Sequence, residues 1–325
     1  MTIIDVHNHY YPPEFIEALR SGTSALKVSD DAAGNPVLSS PGDVNIAVRG
    51  HRDIGYRQEV LDREGVDRQL ISLTTPGTLL ETPERSVALA RLVNDALAAV
   101  MATRGNRFTA LATLPLNDPS ASVVEFDRVM ALGFKGCMVF GNVNGTPLAD
   151  RRFWPLWERA SNAGAVIYIH PTFPLGVEAM QDYWLMPLVG FLFDTTLAAA
   201  HLVFAGVTER FPGIRWVLGH LGGTIPYLVE RLDRGYRNFT ECRTDLSTLP
   251  SEQLKRFYYD TVNFDPKALR LAVDFAGADQ ILAGSDYPHL IGSIPRMLES
   301  VRGPGFSAEE QAKILGGNAA RLLGV

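Results

Sequence analysis

The sequence predicts a (β/α)8 barrel. Eight short runs rich in β-branched and aromatic residues alternate with segments of helical periodicity, and seven of the eight are followed by a clear helix. The 325 residues suit an undivided α/β barrel. A doubly wound sheet is the competing fold, but the Gly-rich phosphate loop it carries after its first strand is replaced here by His7-Asn8-His9-Tyr10-Tyr11. Residues 1–325 read as one domain, with no repeat and no low-complexity tract.

The first strand is Ile3-Ile4-Asp5-Val6-His7-Asn8-His9, apolar and β-branched up to its His-x-His end. Residues at i and i+2 of a strand share a face, so His7 and His9 can bind one cation together. A short helix from Glu14 to Arg20 follows, and then a Gly/Ser/Asp/Pro-rich stretch over about 21–50. A loop of that length inside a compact domain reads as a functional flap, here with room for a small hairpin, and it ends in Arg49, His51 and Arg52.

The alternation then runs to the end of the chain. Helix 53–64, stopped by Gly65, precedes strand 68–74, and helix 84–104 precedes strand 108–114. Asp118 with Pro119 opens a helix to about Leu132, before strand 134–140. Helix 153–163 leads to strand 166–170, a helical pair over 183–210 to strand 214–220, and helix 225–236 to strand 257–261. Helix 266–275, strand 280–285 and closing helices at 294–301 and 308–323 complete the pattern.

Composition narrows the function. With 46% hydrophobic and 20% charged residues the chain is globular, and its net charge of −6 argues against nucleic acid or an anionic membrane as a general partner. Apolar stretches such as 184–193 are short and broken by Pro187 and Gly190, so no membrane span is expected. Two distant cysteines, no CxxC and no signal-peptide pattern suit a cytoplasmic protein.

Catalytic groups of a barrel sit at the C-terminal ends of its strands. His7 and His9 end strand one, His170 ends strand five, His220 ends strand six, and Asp286 follows strand eight. Three imidazoles and one carboxylate from strands one, five and eight suit one divalent metal; Zn²⁺ fits this set best, though Fe, Co or Mn²⁺ would also fit. His220 exceeds a tetrahedral set, which leaves it as general acid/base or as ligand to a second metal. His201 lies within a helix and reads as structural, whereas His51 and His289 lie on loops near the same mouth.

Taken in order, Asp5-Val6-His7-Asn8-His9-Tyr10-Tyr11-Pro12, Glu64-Gly65-Val66-Asp67, Ile169-His170-Pro171, Gly219-His220-Leu221-Gly222-Gly223, Asp260-Thr261 and Gly284-Ser285-Asp286-Tyr287-Pro288 resemble the amidohydrolase superfamily. The resemblance is to its metal-dependent non-oxidative decarboxylases, such as aminocarboxymuconate-semialdehyde, γ-resorcylate and 5-carboxyvanillate decarboxylases, and it implies an amidohydrolase-like barrel. Strand four ends Met138-Val139-Phe140-Gly141, without the lysine that bridges two metals in many relatives. The resemblance therefore implies one metal on His7, His9, His170 and Asp286, with His220 essentially unligated. It further implies a flap arginine on the substrate carboxylate, Arg49 before Arg52, and a homodimer in which Arg231 reaches the neighbouring site. Having His at position 7 looks more like the aminocarboxymuconate type than the resorcylate type. His289 departs from the aromatic or apolar residue usual after the Asp-Tyr-Pro turn and implies a more polar pocket.

The activity expected is decarboxylation of a small carboxylate bearing a neighbouring hydroxyl, amino or enol group. The metal would act as Lewis acid, His220 and Asp286 would carry the proton, and Tyr10, Trp184 and His289 would contact substrate. A hydrolase or hydratase acting on a lactone, ester, amide or C=C bond is the rival on the same scaffold, with Asp286 as base to the attacking water. A non-catalytic barrel is the third reading, and it requires the whole constellation to be vestigial.

Overall fold

The computed structural model describes residues 2–21, 24, 26–40, 43–303 and 305–325. Eight parallel strands close into the expected ring: β1 (Ile4–His9), β2 (Arg68–Ser72), β3 (Phe108–Ala110, continued as Ala112–Thr113), β4 (Gly136–Phe140), β5 (Val166–His170), β6 (Arg215–Leu218), β7 (Tyr258–Asp260) and β8 (Ile281–Leu282). Each pairs with the next in order. Closure between β8 and β1 comes from Val6 N–H to the Ala283 carbonyl at 2.8 Å, Ser285 N–H to the His7 carbonyl at 3.1 Å, and a parallel bridge between Asn8 and Tyr287. A closed ring excludes the doubly wound alternative.

Local chemistry sets the helix boundaries. Asp53 accepts from Tyr56 N–H and starts helix Ile54–Glu64, which Gly65 ends at φ 71°. Asp118 caps helix Pro119–Ala131 through Ala121 N–H, with Pro119 at its first position. Helices Pro83–Arg104 and Met186–Phe204 are long and apolar enough to cross a membrane by length and composition alone. The first of them buries Leu89, Val93 and Leu97 in the main core, between the strands and the outer helices.

Strand β1 carries the feature on which the mouth depends. Ile4 and Val6 belong to the cluster inside the ring, with Leu70, Leu111, Met138, Val166, Tyr168, Val217 and Leu282. Unbroken alternation from Ile4 and Val6 would send Asn8 inward and both histidines outward. Instead the register with β2 slips between Asp5 and Asn8, so that Val6 and His7 together oppose one residue. This bulge reverses the phase of the strand. After it, His7 and His9 face the interior while Asn8 turns out toward Arg57.

The flap is more ordered than a hairpin. Strands Lys27–Asp30, Pro36–Ser40 and Asp43–Ile46 form a three-stranded antiparallel sheet, followed by a short helix Arg49–Arg52. Positions 22, 23, 25, 41 and 42 of the expected flap lie outside the described residues. Arg57 ties the flap to the barrel. Its guanidinium is fully buried and donates to Asn8 Oδ1 (2.8 Å), Gln69 Oε1 (2.9 Å), the Gly50 carbonyl (2.9 Å) and the His9 carbonyl. Burial pulls it down to about 10, with Tyr287, Asp5 and Tyr10 opposing.

Arg57→Met would leave these buried acceptors unpaired. Equilibrium urea unfolding should show a loss of about 3 kcal/mol or more; a loss below about 1 kcal/mol would show that the flap is not anchored there.

Candidate metal centre

The groups expected at the strand ends meet in one buried cluster. His7 Nε2 lies 3.2 Å from His9 Nε2, which is itself 3.0 Å from Asp286 Oδ1. His7 Nε2 is 3.4 Å from the same carboxylate oxygen. The His170 ring centre is 5.3 Å from that of His7 and 4.9 Å from that of His9. Donor atoms of His7, His170, His220 and Asp286 all lie within 4.8 Å of one another, and those of His9, Asp286 and His289 form a second such group. His220 thus stands among the donors, with its ring 4.9 Å from His7.

Partners behind the cluster orient it. His7 Nδ1 is paired with Asp260, and His170 Nδ1–H donates to the Pro171 carbonyl at 2.7 Å, so both rings turn Nε2 to the centre. Asp260 also accepts from Tyr168 Oη (2.5 Å), His220 N–H (3.1 Å), Leu221 N–H (3.0 Å) and Val262 N–H (2.9 Å). Asp5 accepts from Ser285 Oγ (2.7 Å) and Gln69 Nε2 (2.8 Å), and its second oxygen takes Ser285 N–H (3.0 Å), which fixes the turn that carries Asp286. His220 and Asp286 both sit in the left-handed region, at φ 52° and 57°. Asp260 holds the first conformation, and Asp286 N–H to the His7 carbonyl (2.8 Å) holds the second. Gly284 is required beside them, since a Cβ there would stand 2.7 Å from His7 Cβ.

The electrostatics suit a cation. Burial, then the neighbouring histidines, push His9 and His170 well below the ordinary imidazole range, and burial with His7 brings His220 to about 4. These rings are therefore neutral, the form that binds metal. Burial opposes charge on His7 too, but Asp260, Asp286 and Asp5 outweigh it and hold it upward. Burial would likewise raise Asp260, yet His7, His220 and the Tyr168 hydroxyl bring it to about 2. Two imidazole nitrogens and a carboxylate oxygen within 3.4 Å, all buried, form a donor set that a divalent cation fits. At the end of β4, where a second metal would need a bridging ligand, Phe140 packs edge-on to His170 at 6.2 Å.

This is an amidohydrolase. The amidohydrolase family model matches residues 4–325, which places the whole ring and the closing helices in that family. The chain is 32% identical to a 2-amino-3-carboxymuconate-6-semialdehyde decarboxylase of Dictyostelium discoideum over 283 residues, 84% of this chain and 77% of that one. A 5-carboxyvanillate decarboxylase from Sphingomonas paucimobilis superposes with a TM-score of 0.89 at 28% identity, covering 100% of this chain and 99% of the other. A dihydroxybenzoic acid decarboxylase from Polaromonas, with bound manganese and the inhibitor 2-nitroresorcinol, gives 0.84 at 26% identity over 99% and 97%.

Other predicted groups of this amidohydrolase are placed differently. Arg49 is 59% exposed, bonds Asp53 at 2.9 Å and covers the Tyr56 ring. Arg52 donates to the Ala47 carbonyl (3.1 Å) and Asn35 Oδ1 (3.3 Å). Tyr10 is buried with its ring 5.8 Å from the Arg57 guanidinium, and Trp184 is exposed in the segment after β5. His289 does reach the cluster, 4.8 Å from His9. The sequence assigned no role to Asp260, Tyr168, Arg57 or His51, although Asp260 stands in a motif quoted above and His51 on a loop near the mouth. Asp260 closes strand seven and could have been found by the strand-end rule that found the histidines.

Asp260→Asn should weaken metal affinity about 10–100-fold in a chelator competition, while keeping the far-UV circular dichroism of the parent. Unchanged affinity would show that Asp260 does not position His7.

Proposed function

We propose that this amidohydrolase is a metal-dependent, non-oxidative decarboxylase of hydroxy- or amino-substituted aromatic or muconate-type carboxylic acids. The observation that carries this reading is the buried His/Asp cluster at the mouth of a barrel shared end to end with decarboxylases. His7, His9, His170 and Asp286 would hold one divalent ion; Zn²⁺ suits the three imidazoles, and manganese is the ion bound by the Polaromonas relative. When bound, the ion supplies Lewis-acid polarisation of the substrate's oxygens.

The chain's own residues do the rest. The bond from the ring or diene carbon to the carboxyl carbon breaks, CO₂ leaves, and that carbon takes one proton. Asp286 and His220 are the two groups that carry the proton, each fixed by a strained backbone and by bonds to β1 or Asp260. Pro76, Leu79, Phe140 and Phe173 line an apolar cleft, and Phe140 in turn packs on His170, which gives a planar substrate a dry wall beside the cluster.

The working unit we propose is a homodimer in the cytoplasm, and the two free cysteines fit such a reducing compartment. Trp184, Leu188, Phe193, Leu197 and Tyr227 are large, apolar and exposed. Arg231 follows Tyr227 by four residues on helix Ile225–Asn238, and the nearby acids Glu230 and Asp233 are paired with Arg237 instead. That leaves Arg231 available to the partner's site.

Purified protein should carry one metal equivalent, and chelation should abolish CO₂ release from 2-hydroxybenzoates or muconate-type acids until Zn²⁺ or Mn²⁺ is restored. His220→Ala should keep the metal and lose activity by about 10²–10⁴-fold. Ester or lactone cleavage without CO₂ release would sink the decarboxylase reading. Light scattering should give a dimer mass, which Phe193→Asp converts to monomer; a monomeric parent would refute the shared site.

A further inference from the structure

We propose that His51 and His289 together form the carboxylate-binding subsite, with His51 in the place that a flap arginine would otherwise take. His51 comes from the short flap helix Arg49–Arg52 and His289 from the turn after β8. Their ring centres are 5.0 Å apart, and that of His289 is 4.8 Å from that of His9. The pair thus continues the metal cluster toward the flap.

His51 is 2% exposed, yet neither of its ring nitrogens has a hydrogen-bond partner among the described residues. The Tyr11 ring lies 5.3 Å away, and its hydroxyl donates to the Thr75 carbonyl at 2.5 Å instead. A buried imidazole with both nitrogens unsatisfied is costly unless a ligand supplies the partner. An imidazole carries at least one N–H donor, which suits a carboxylate oxygen.

The geometry of His51 is built rather than incidental. Its N–H donates to the Val48 carbonyl at 2.9 Å, and its carbonyl accepts from Tyr11 N–H at 2.8 Å. The preceding Gly50 presses on Tyr287, where a Cβ would come within 2.4 Å of the hydroxyl. Arg57 bonds the Gly50 carbonyl from below and the His9 carbonyl beside it. The flap helix is thereby locked to both β1 and the turn that carries His289. The flanking arginines are committed elsewhere, Arg49 to Asp53 and Arg52 to Ala47 and Asn35.

The exchange of guanidinium for imidazole has a chemical consequence. A bidentate arginine stabilises the carboxylate anion strongly in the ground state, and that stabilisation is lost as the group departs as neutral CO₂. Imidazole N–H donors orient the carboxylate with less ground-state stabilisation. The subsite therefore fits one carboxylate on a hydroxyarene, with the neighbouring hydroxyl directed to the metal cluster. This assignment rests on the decarboxylase reading for its role in turnover, but the binding it describes is testable without turnover.

The test compares equilibrium binding of 2,6-dihydroxybenzoate and of resorcinol, which differ only in the carboxyl group, to Zn²⁺-loaded full-length protein. His51→Ala and His289→Ala should each weaken the acid about 10- to 100-fold, leave resorcinol within about twofold, and retain one metal equivalent. His51→Asn keeps a donor and should retain most of the affinity for the acid. Equal losses for acid and phenol, no loss in either variant, or a parent that does not prefer the acid would overturn the assignment. So would two metal equivalents in the parent falling to one in the variants, which would make the pair metal ligands. A parent that binds the acid as described but releases no CO₂ would instead count against the decarboxylase reading alone.

Discussion

One carboxylate, Asp260 at the end of β7, holds the mouth of this barrel in shape. It pairs with His7 of β1, accepts the Tyr168 hydroxyl of β5, and takes the N–H groups of His220 and Leu221 after β6. Four strands that are distant in sequence are thus referred to one buried anion. A buried charge is tolerable only when it is this fully satisfied, and here the satisfaction does structural work on the donors. It turns His7 Nε2 inward and keeps His220 and Leu221 in left-handed conformations that neither would adopt alone.

The cluster and the flap contribute different things. The donors of the cluster sit on strands and on turns pinned to strands, where hydrogen bonds fix position closely, as metal binding demands. The flap is a small antiparallel sheet and a one-turn helix joined to that rigid base through Arg57, Gly50 and Tyr287. Variation in such a segment changes what is bound without disturbing how the metal is held. The polar His51–His289 pair against the apolar wall of Phe140 and Phe173 is an instance of that division.

Much of this was readable in the chain. Alternating strands and helices, Asp53 and Asp118 as caps, and Gly65 as a stop are local signals, and local energetics decide them. The strand-end histidines were legible because a parallel barrel puts the C-terminal ends of all its strands on one side. The flap was legible only as a long irregular stretch, since its three strands pair with one another and show little alternation of their own. The arginines around His51 were expected at the site through the resemblance to related decarboxylases, but sequence carries no information on which of three neighbouring side chains a one-turn helix turns inward.

The sequence by itself determined the barrel, the order of its strands and the identity of the donor groups, because hydrophobic periodicity and strand-end position are properties of the chain. Tertiary structure alone decided that His7 and His9 face inward. Parity from Ile4 and Val6 would have turned them out, and only the bulge against β2 reverses it. It alone decided that Asp260 joins His7 and that His51, not Arg49 or Arg52, faces the cluster. These outcomes depend on pairing register and on contacts between residues hundreds of positions apart, and no local preference encodes either.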